Sequence, residues 1–214
     1  KALSVAINRN EMNSIIYFDL GTPRQATMIP SSKFYEKSFA NAAIEYDPDE
    51  ARRLLDEIGV VDKDGDGFRE RPNGAPLDIT FEWTPMETPK EMTMELVSDY
   101  WQSVGLDIRF KQIDGNIQGR RARGNLMDMT LWHADRTTDV LFPPQPYWFV
   151  PMHSNWEECH WALWSNWYRT NGEEGEKPPE KIMEILNWWI EMRTTMDQQK
   201  RIELGKNILR STAE

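Results

Sequence analysis

A single cysteine, Cys159, excludes a disulfide within the chain, so cysteine usage gives no information on redox compartment. No apolar run approaches the ~18 residues needed to cross a bilayer. A basic excess is also missing: 25 Lys and Arg stand against 35 Asp and Glu, for a net charge of −10. Nucleic acid and anionic membrane surfaces demand a basic face, so neither is the expected partner. The only basic cluster, Arg120, Arg121 and Arg123 between two glycines, reads as a solvated helix face. The sequence has no GxSxG, Walker loop, GxGxxG, HExxH or CxxC, and hence no positive support for an enzyme. His133, His153 and His160 lie near Glu157, Glu158 and Cys159 at irregular spacing, unlike the short regular spacing of zinc ligands. There is no repeat and no Ser/Gly- or Pro-rich linker, so residues 1–214 read as one domain. There is no initiator Met or signal-peptide pattern. The start at KALSVAINR and the short polar tail after Ile208 and Leu209 read as cuts within a longer protein.

What is present is a clear succession of elements. Leu3, Ala6 and Ile7 share a helical face. Asn8 with Glu11 fits a capping box, followed by Met12, Ile15 and Ile16 at helical spacing. Gly21, Pro23 and Pro30 end that helix and open a loop. In YDPDEARRLLDEIG, Asp47 is placed to cap a helix, Pro48 suits its first position, and Gly59 stands at its left-handed terminus. Leu77, Ile79, Phe81 and Trp83 alternate as a half-buried strand, and Leu106, Ile108 and Phe110 repeat the pattern. Between them Thr88, Pro89 and Glu91 open a helix closed by Gly105. Strand, helix and strand predict a parallel pair with a right-handed crossover. A short basic helix near Ile117–Arg123 leads to LMDMTLW, read as a third strand. Residues 134–179 read as loop-rich, and two helices follow, one striped by Ile182, Ile185, Leu186 and Trp189, the other beginning after Asp197.

Two segments carry candidate chemistry. Asp62, Asp64, Asp66 and Gly67 copy the first half of a calcium loop, with Glu70 at its ninth position. The twelfth position, which should offer a bidentate Glu, is Asn73. The competing reading is an acidic Asx-turn joining helix to strand. The second segment is aromatic: of ten tryptophans, six lie from Trp132 to Trp167. Indole planes suit sugar rings and apolar peptide side chains, and Asp135, Asp139, Gln145, Asn155 and Asn166 are spaced among them to orient a ligand. Trp101 and at least one of Trp188 and Trp189 read as core. Trp132, Trp148, Trp156, Trp161, Trp164 and Trp167 are the candidates to line a cleft.

Taken in order, KALSVAINR, GTPRQATMIPSS, EYDPDEARRLLDEIG with DGDGFRE, and WQSVGLDIRF resemble the family 5 extracellular solute-binding proteins. These are the receptors of ABC importers for oligopeptides, dipeptides, nickel and oligosaccharides. The resemblance implies a lobe of a clamshell of the class II periplasmic-binding-protein type, α/β with a mixed sheet flanked by helices, and residues 1–214 as a single lobe excised from a two-lobed protein. It implies reversible ligand capture without catalysis, delivery to the permease subunits, no required cofactor, and a periplasmic or extracellular location, with a lipid anchor on a preceding segment left open. In peptide-binding members a strand ending in Trp leads to an Asp-Tyr-Pro-Asp-Pro-like loop whose first Asp pairs with the ligand's α-amino group. Here the stretch is Trp132-His133-Ala134-Asp135, followed by Arg136 and Thr137 where Tyr-Pro would stand. That departure tips the expected ligand from oligopeptide toward oligosaccharide. The expected contacts are Trp132, His133, Asp135, Trp148, Trp156, Trp161 and Trp164, with Ca2+ on Asp62, Asp64, Asp66 and Glu70 as an optional metal site. The alternatives are a secreted carbohydrate-active enzyme and a calcium-stabilised carbohydrate-binding module.

Overall fold

The computed structural model of the protein describes residues 1–85, 88–153 and 161–213. In chain order the elements are α1 (Ala2–Val5), α2 (Arg9–Tyr17), α3 (Lys37–Ala40), α4 (Pro48–Glu57), β1 (Ile79–Trp83), α5 (Lys90–Gln102), β2 (Ile108–Gln112), α6 (Gly115–Arg123), β3 (Met129–Thr130), α7 (Ala162–Arg169), α8 (Glu180–Thr194) and α9 (Gln198–Ala213). They fall into two compact units, the first made of residues 1–24, 43–115 and 127–131, the second of residues 25–42, 116–126 and 132–214.

The first unit forms from strong local signals. Asn8 Oδ1 accepts from Glu11 N at 3.1 Å to cap α2, and its Nδ2, rather than its backbone N–H, donates to the Glu11 carboxylate at 3.2 Å, a side-chain variant of the capping box. Asp47 Oδ1 accepts from Glu50 N at 2.9 Å to cap α4. Helices α4 and α5 end alike. Gly59 N donates to Asp56 O and Val60 N to Leu55 O; Gly105 N donates to Gln102 O and Leu106 N to Trp101 O. Both closures put the glycine in the left-handed region, at φ 75° and 84°. At Gly105 a Cβ would also be crowded, lying 3.2 Å from the Arg69 side chain and 3.3 Å from Gly67 O.

The three strands are ordered β2-β1-β3 and all pair in parallel, with Phe81 opposite Phe110 and Phe81 also opposite Met129. Among the described residues the sheet is therefore parallel rather than mixed, and antiparallel pairing is confined to single bridges at Glu70. The core of this unit gathers Phe81, Trp83 and Ile108 from the sheet, Met94, Val97 and Trp101 from α5, and Ala51 and Leu55 from α4. Phe81 and Phe110 stack at 5.5 Å with Trp101 tilted against both. Trp101 is 4% exposed, and its Nε1 donates to Leu3 O at 2.9 Å, so the core assignment of this indole holds. The third strand is shorter than LMDMTLW predicts. Asp128 turns its carboxylate to Thr80 N at 3.0 Å, and the chain leaves the sheet after Thr130.

The second unit is built on α8 and α9, joined by the three residues 195–197 and packed together. Asp197 Oδ1 accepts from Gln199 N and Lys200 N to start α9. Ile185, Leu186, Trp189 and Met192 of α8 meet Leu204, Ile208 and Leu209 of α9, with Met28, Phe34, Phe39, Phe142 and Phe149 supplied by the preceding segments. Gly205 lets α9 close in: a Cβ there would fall 2.5 Å from the Phe34 ring. Trp189 is 1% exposed and donates from Nε1 to Pro143 O at 3.0 Å. Of the basic trio, Arg120 and Arg123 are exposed as expected, whereas Arg121 reaches back to Leu126 O at 2.6 Å. Residues 134–179 are not all loop, for α7 lies within them.

Candidate functional site

The chain leaves β3 after Thr130 and runs irregular from Leu131 through Thr137. Its geometry is fixed at Arg136, which adopts φ 59° although it is not glycine. That conformation lets the guanidinium meet three neighbours at once: the Asp135 carboxylate at 2.7 Å, Gln145 Oε1 at 3.2 Å, and the face of Tyr147 at 4.9 Å from the ring centroid. Trp148 closes the group, its Nε1 lying 3.1 Å from Asp135 O and 3.3 Å from Asp135 Oδ1. The Asp135 side chain is 53% exposed and Arg136 19% exposed, so the cation is the more enclosed partner. Trp148 is half-buried and rests on the core of its unit.

The predicted contacts thus assemble as pairs. Asp135 joins Trp148. Trp132 and His133 meet edge-on at 5.2 Å, both half-buried. Trp161 and Trp164 lie 5.4 Å apart at 34°, both half-buried at the first turn of α7. The i, i+3 spacing of Trp161 and Trp164, repeated one residue on by the buried pair Ala162 and Ser165, is the helical signal that reading this stretch as a loop passed over. Trp156 lies outside the described residues. Of the orienting polar residues, Asp139 has a structural role: its Oδ1 accepts from Ser32 Oγ at 2.5 Å and Lys33 N at 2.9 Å. Tyr147 and Arg136 join the group without a sequence signal, because only the folded loop brings them to Asp135. A cavity of about 410 Å3 in the same unit is lined by none of the predicted contacts.

The acidic loop is compact. Ligand oxygens of Asp62, Asp64, Asp66 and Glu70 all lie within 4.8 Å of one another. Several are already engaged: Asp62 accepts from Gly65 N and Gly67 N, Asp64 from Asp66 N, Asp66 from Phe68 N, and Glu70 from Lys63 N. Asn73 Oδ1, at the position of the missing bidentate ligand, accepts from Ala75 N instead. Arg69 ties the loop down through Asp56 at 2.5 Å, Val60 O and Val104 O.

The chain thus combines a parallel α/β unit, a second helical unit, and an indole-rich irregular stretch with a partly exposed carboxylate. Residues 1–156 match the model of the bacterial extracellular solute-binding proteins, family 5 Middle, and the chain belongs to that family. Its members are binding components of ABC transporters that work in the periplasm or outside the cell. Among curated proteins no relative matches the chain. Among solved structures it is similar to an oligopeptide-binding protein OppA, with 29% identity and a TM-score of 0.86 over 99% of this chain and 35% of that one. It also resembles a mannohexaose-bound periplasmic oligopeptide-binding protein from Thermotoga maritima (20%, TM-score 0.69, 99% and 38% covered). A third likeness is to the periplasmic binding protein MelB from Agrobacterium fabrum in complex with stachyose (17%, TM-score 0.73, 99% and 31% covered). These last two share the fold. The chain spans about a third of the length of these structures. No described helix is long and apolar enough to cross a membrane.

Proposed function

We propose that this chain is one lobe of the extracytoplasmic receptor of an ABC importer, that it captures an oligosaccharide, and that the ligand-loaded receptor is offered to the permease. Residues 1–214 act in this reading as one lobe of a larger protein, and a lipid anchor would belong to a segment preceding Lys1. Capture needs no chemistry. A ligand bridging two lobes stabilises the closed state by contacts that the open state lacks. The observation that carries the choice of ligand is the Asp135–Arg136 pair at 2.7 Å, with Trp148 Nε1 on the same carboxylate. A peptide's α-ammonium would have to displace that guanidinium. A neutral sugar needs only acceptors, donors and the faces of Trp132, Trp148, Trp156, Trp161 and Trp164, with His133 at the edge.

Oligopeptide is the second reading, favoured by the 29% identity to a structure named an oligopeptide-binding protein. Calorimetric titration of the full-length protein with cello-, manno- and xylo-oligosaccharides against short peptides separates the two. Saturable heat with a sugar series is expected, and tight peptide binding without sugar heat overturns the choice. Calcium has a separate, stabilising place in the proposal. Four carboxylates within 4.8 Å could share one ion at the usual ~2.3–2.6 Å, weakly for lack of the twelfth ligand.

A further inference from the structure

The cavity of about 410 Å3 in the second unit lies between the Lys33–Phe34 turn and the α8–α9 connection, and falls in the size range of small-molecule pockets. We propose that it binds a small amphiphilic carboxylate, independently of the indole-rich turn. In a chain of net charge −10, this cavity collects three cations, Lys33, Arg193 and Arg201. Its one carboxylate, Asp139, already accepts from Ser32 Oγ and Lys33 N.

The cations are held ready without being neutralised. The Arg193 guanidinium lies 4.6 Å above the Trp189 ring, a contact that positions it while leaving its N–H edge for an acceptor. Arg201 donates from Nη2 to Thr195 O at 2.7 Å and has no carboxylate partner among the described residues. Lys33 has no ion-pair partner among the described residues. Two planar guanidiniums and an ammonium suit a carboxylate, which accepts charge-assisted hydrogen bonds through both oxygens. The apolar share of the lining decides against a bare anion. Phe34 and Met192 close its floor as core residues, and the apolar surface open to a ligand is that of Pro143, Pro144 and Ile202, half-buried or exposed. A ligand with an aryl or branched alkyl body covers that surface, and hydrated phosphate cannot.

The test titrates the full-length protein with 3-phenylpropionate, its amide and inorganic phosphate, by calorimetry and ligand-observed NMR. The carboxylate is expected to bind saturably, and the amide and phosphate at least tenfold more weakly. Arg193→Gln with Arg201→Gln is expected to weaken the carboxylate at least tenfold, and Arg201→Lys by less. If the double variant melts early, Lys33→Met, at an exposed turn, serves in its place with an expected threefold loss. Equal binding of the amide, equal binding of phosphate, no saturable binding of the carboxylate, or variants that bind as the parent does would each overturn the proposal. Saturation with 3-phenylpropionate is expected to leave sugar or peptide heats unchanged, so failure here and failure of the importer reading are separately visible.

Discussion

The unit around β1 and the unit around α8 and α9 are stabilised by contacts of different range. In the first, the helix ends are set by contacts short in sequence, Asn8 to Glu11, Asp47 to Glu50, and glycine closures at 59 and 105, with long ties such as Trp101 to Leu3 O added to them. In the second, apart from the Asp197 cap, the ties that hold the connecting segments are long. Asp139 holds Ser32 and Lys33 across more than a hundred residues, Trp189 holds Pro143, Lys206 pairs with Glu36 at 3.1 Å, and Arg210 lies over Phe39. The lesson is that elements whose local signals agree with their packing are legible in the sequence, whereas elements held by side chains that meet only in the fold are not.

Substitutions can break that contrast. The largest effect is expected from Trp189→Ala compared with Trp101→Ala. Each empties a core and is expected to cost about 3–5 kcal/mol in urea unfolding. Trp189→Ala should also loosen the Pro143 turn, visible as faster amide exchange there, while Trp101→Ala leaves that turn unchanged. Next comes Asp139→Ala, which strands the Ser32 hydroxyl and Lys33 N–H and is expected to cost about 1–3 kcal/mol. A loss no larger than that of a surface change would mean the long-range ties are ornamental. Asp47→Ala follows at about 1 kcal/mol, with Asp47→Asn close to the parent because an amide oxygen still caps the helix. The smallest effect belongs to calcium. Millimolar Ca2+ is expected to raise Tm by a degree or two and EDTA to reverse it, since backbone N–H groups already hold the loop. An unchanged Tm in both leaves a hydrogen-bonded turn.

Reading the chain residue by residue reached the first unit almost whole, because alternation, terminal glycines and the caps at Asn8 and Asp47 are local signals that the fold satisfies; at α5 Pro89 takes the N-cap position and no side chain caps the helix. It reached α8 and α9 through their apolar stripes. It overestimated β3, whose pairing ends where Asp128 turns to cap Thr80, an event no period encodes. It took α7 for loop because aromatic residues on a helix resemble a ligand platform when counted by type rather than by spacing. At the candidate site, the sequence and the family resemblance propose Trp132, Asp135 and Trp148, and the structure brings Asp135 and Trp148 together. Arg136 and Tyr147 could not be assigned to the group, because their meeting depends on a left-handed backbone at Arg136 and a contact 9 residues away between Arg136 and Gln145.

The hydrogen bond from Ser32 to Asp139, 107 residues apart, also sets a clock. During synthesis at about 5–20 residues per second, residues 25–42 emerge roughly 5–20 s before the carboxylate that holds them exists. Met28, Phe34 and Phe39, all buried at the end, have no finished core to enter in that interval. The first unit's residues 43–115 are complete before then. The nascent chain therefore carries a folded frame and an unsatisfied apolar segment at the same time. A factor that shields apolar chain would act on residues 25–42, and the need for it outlasts residue 139 and ends only when Leu204, Ile208 and Leu209 of α9 arrive to complete that core.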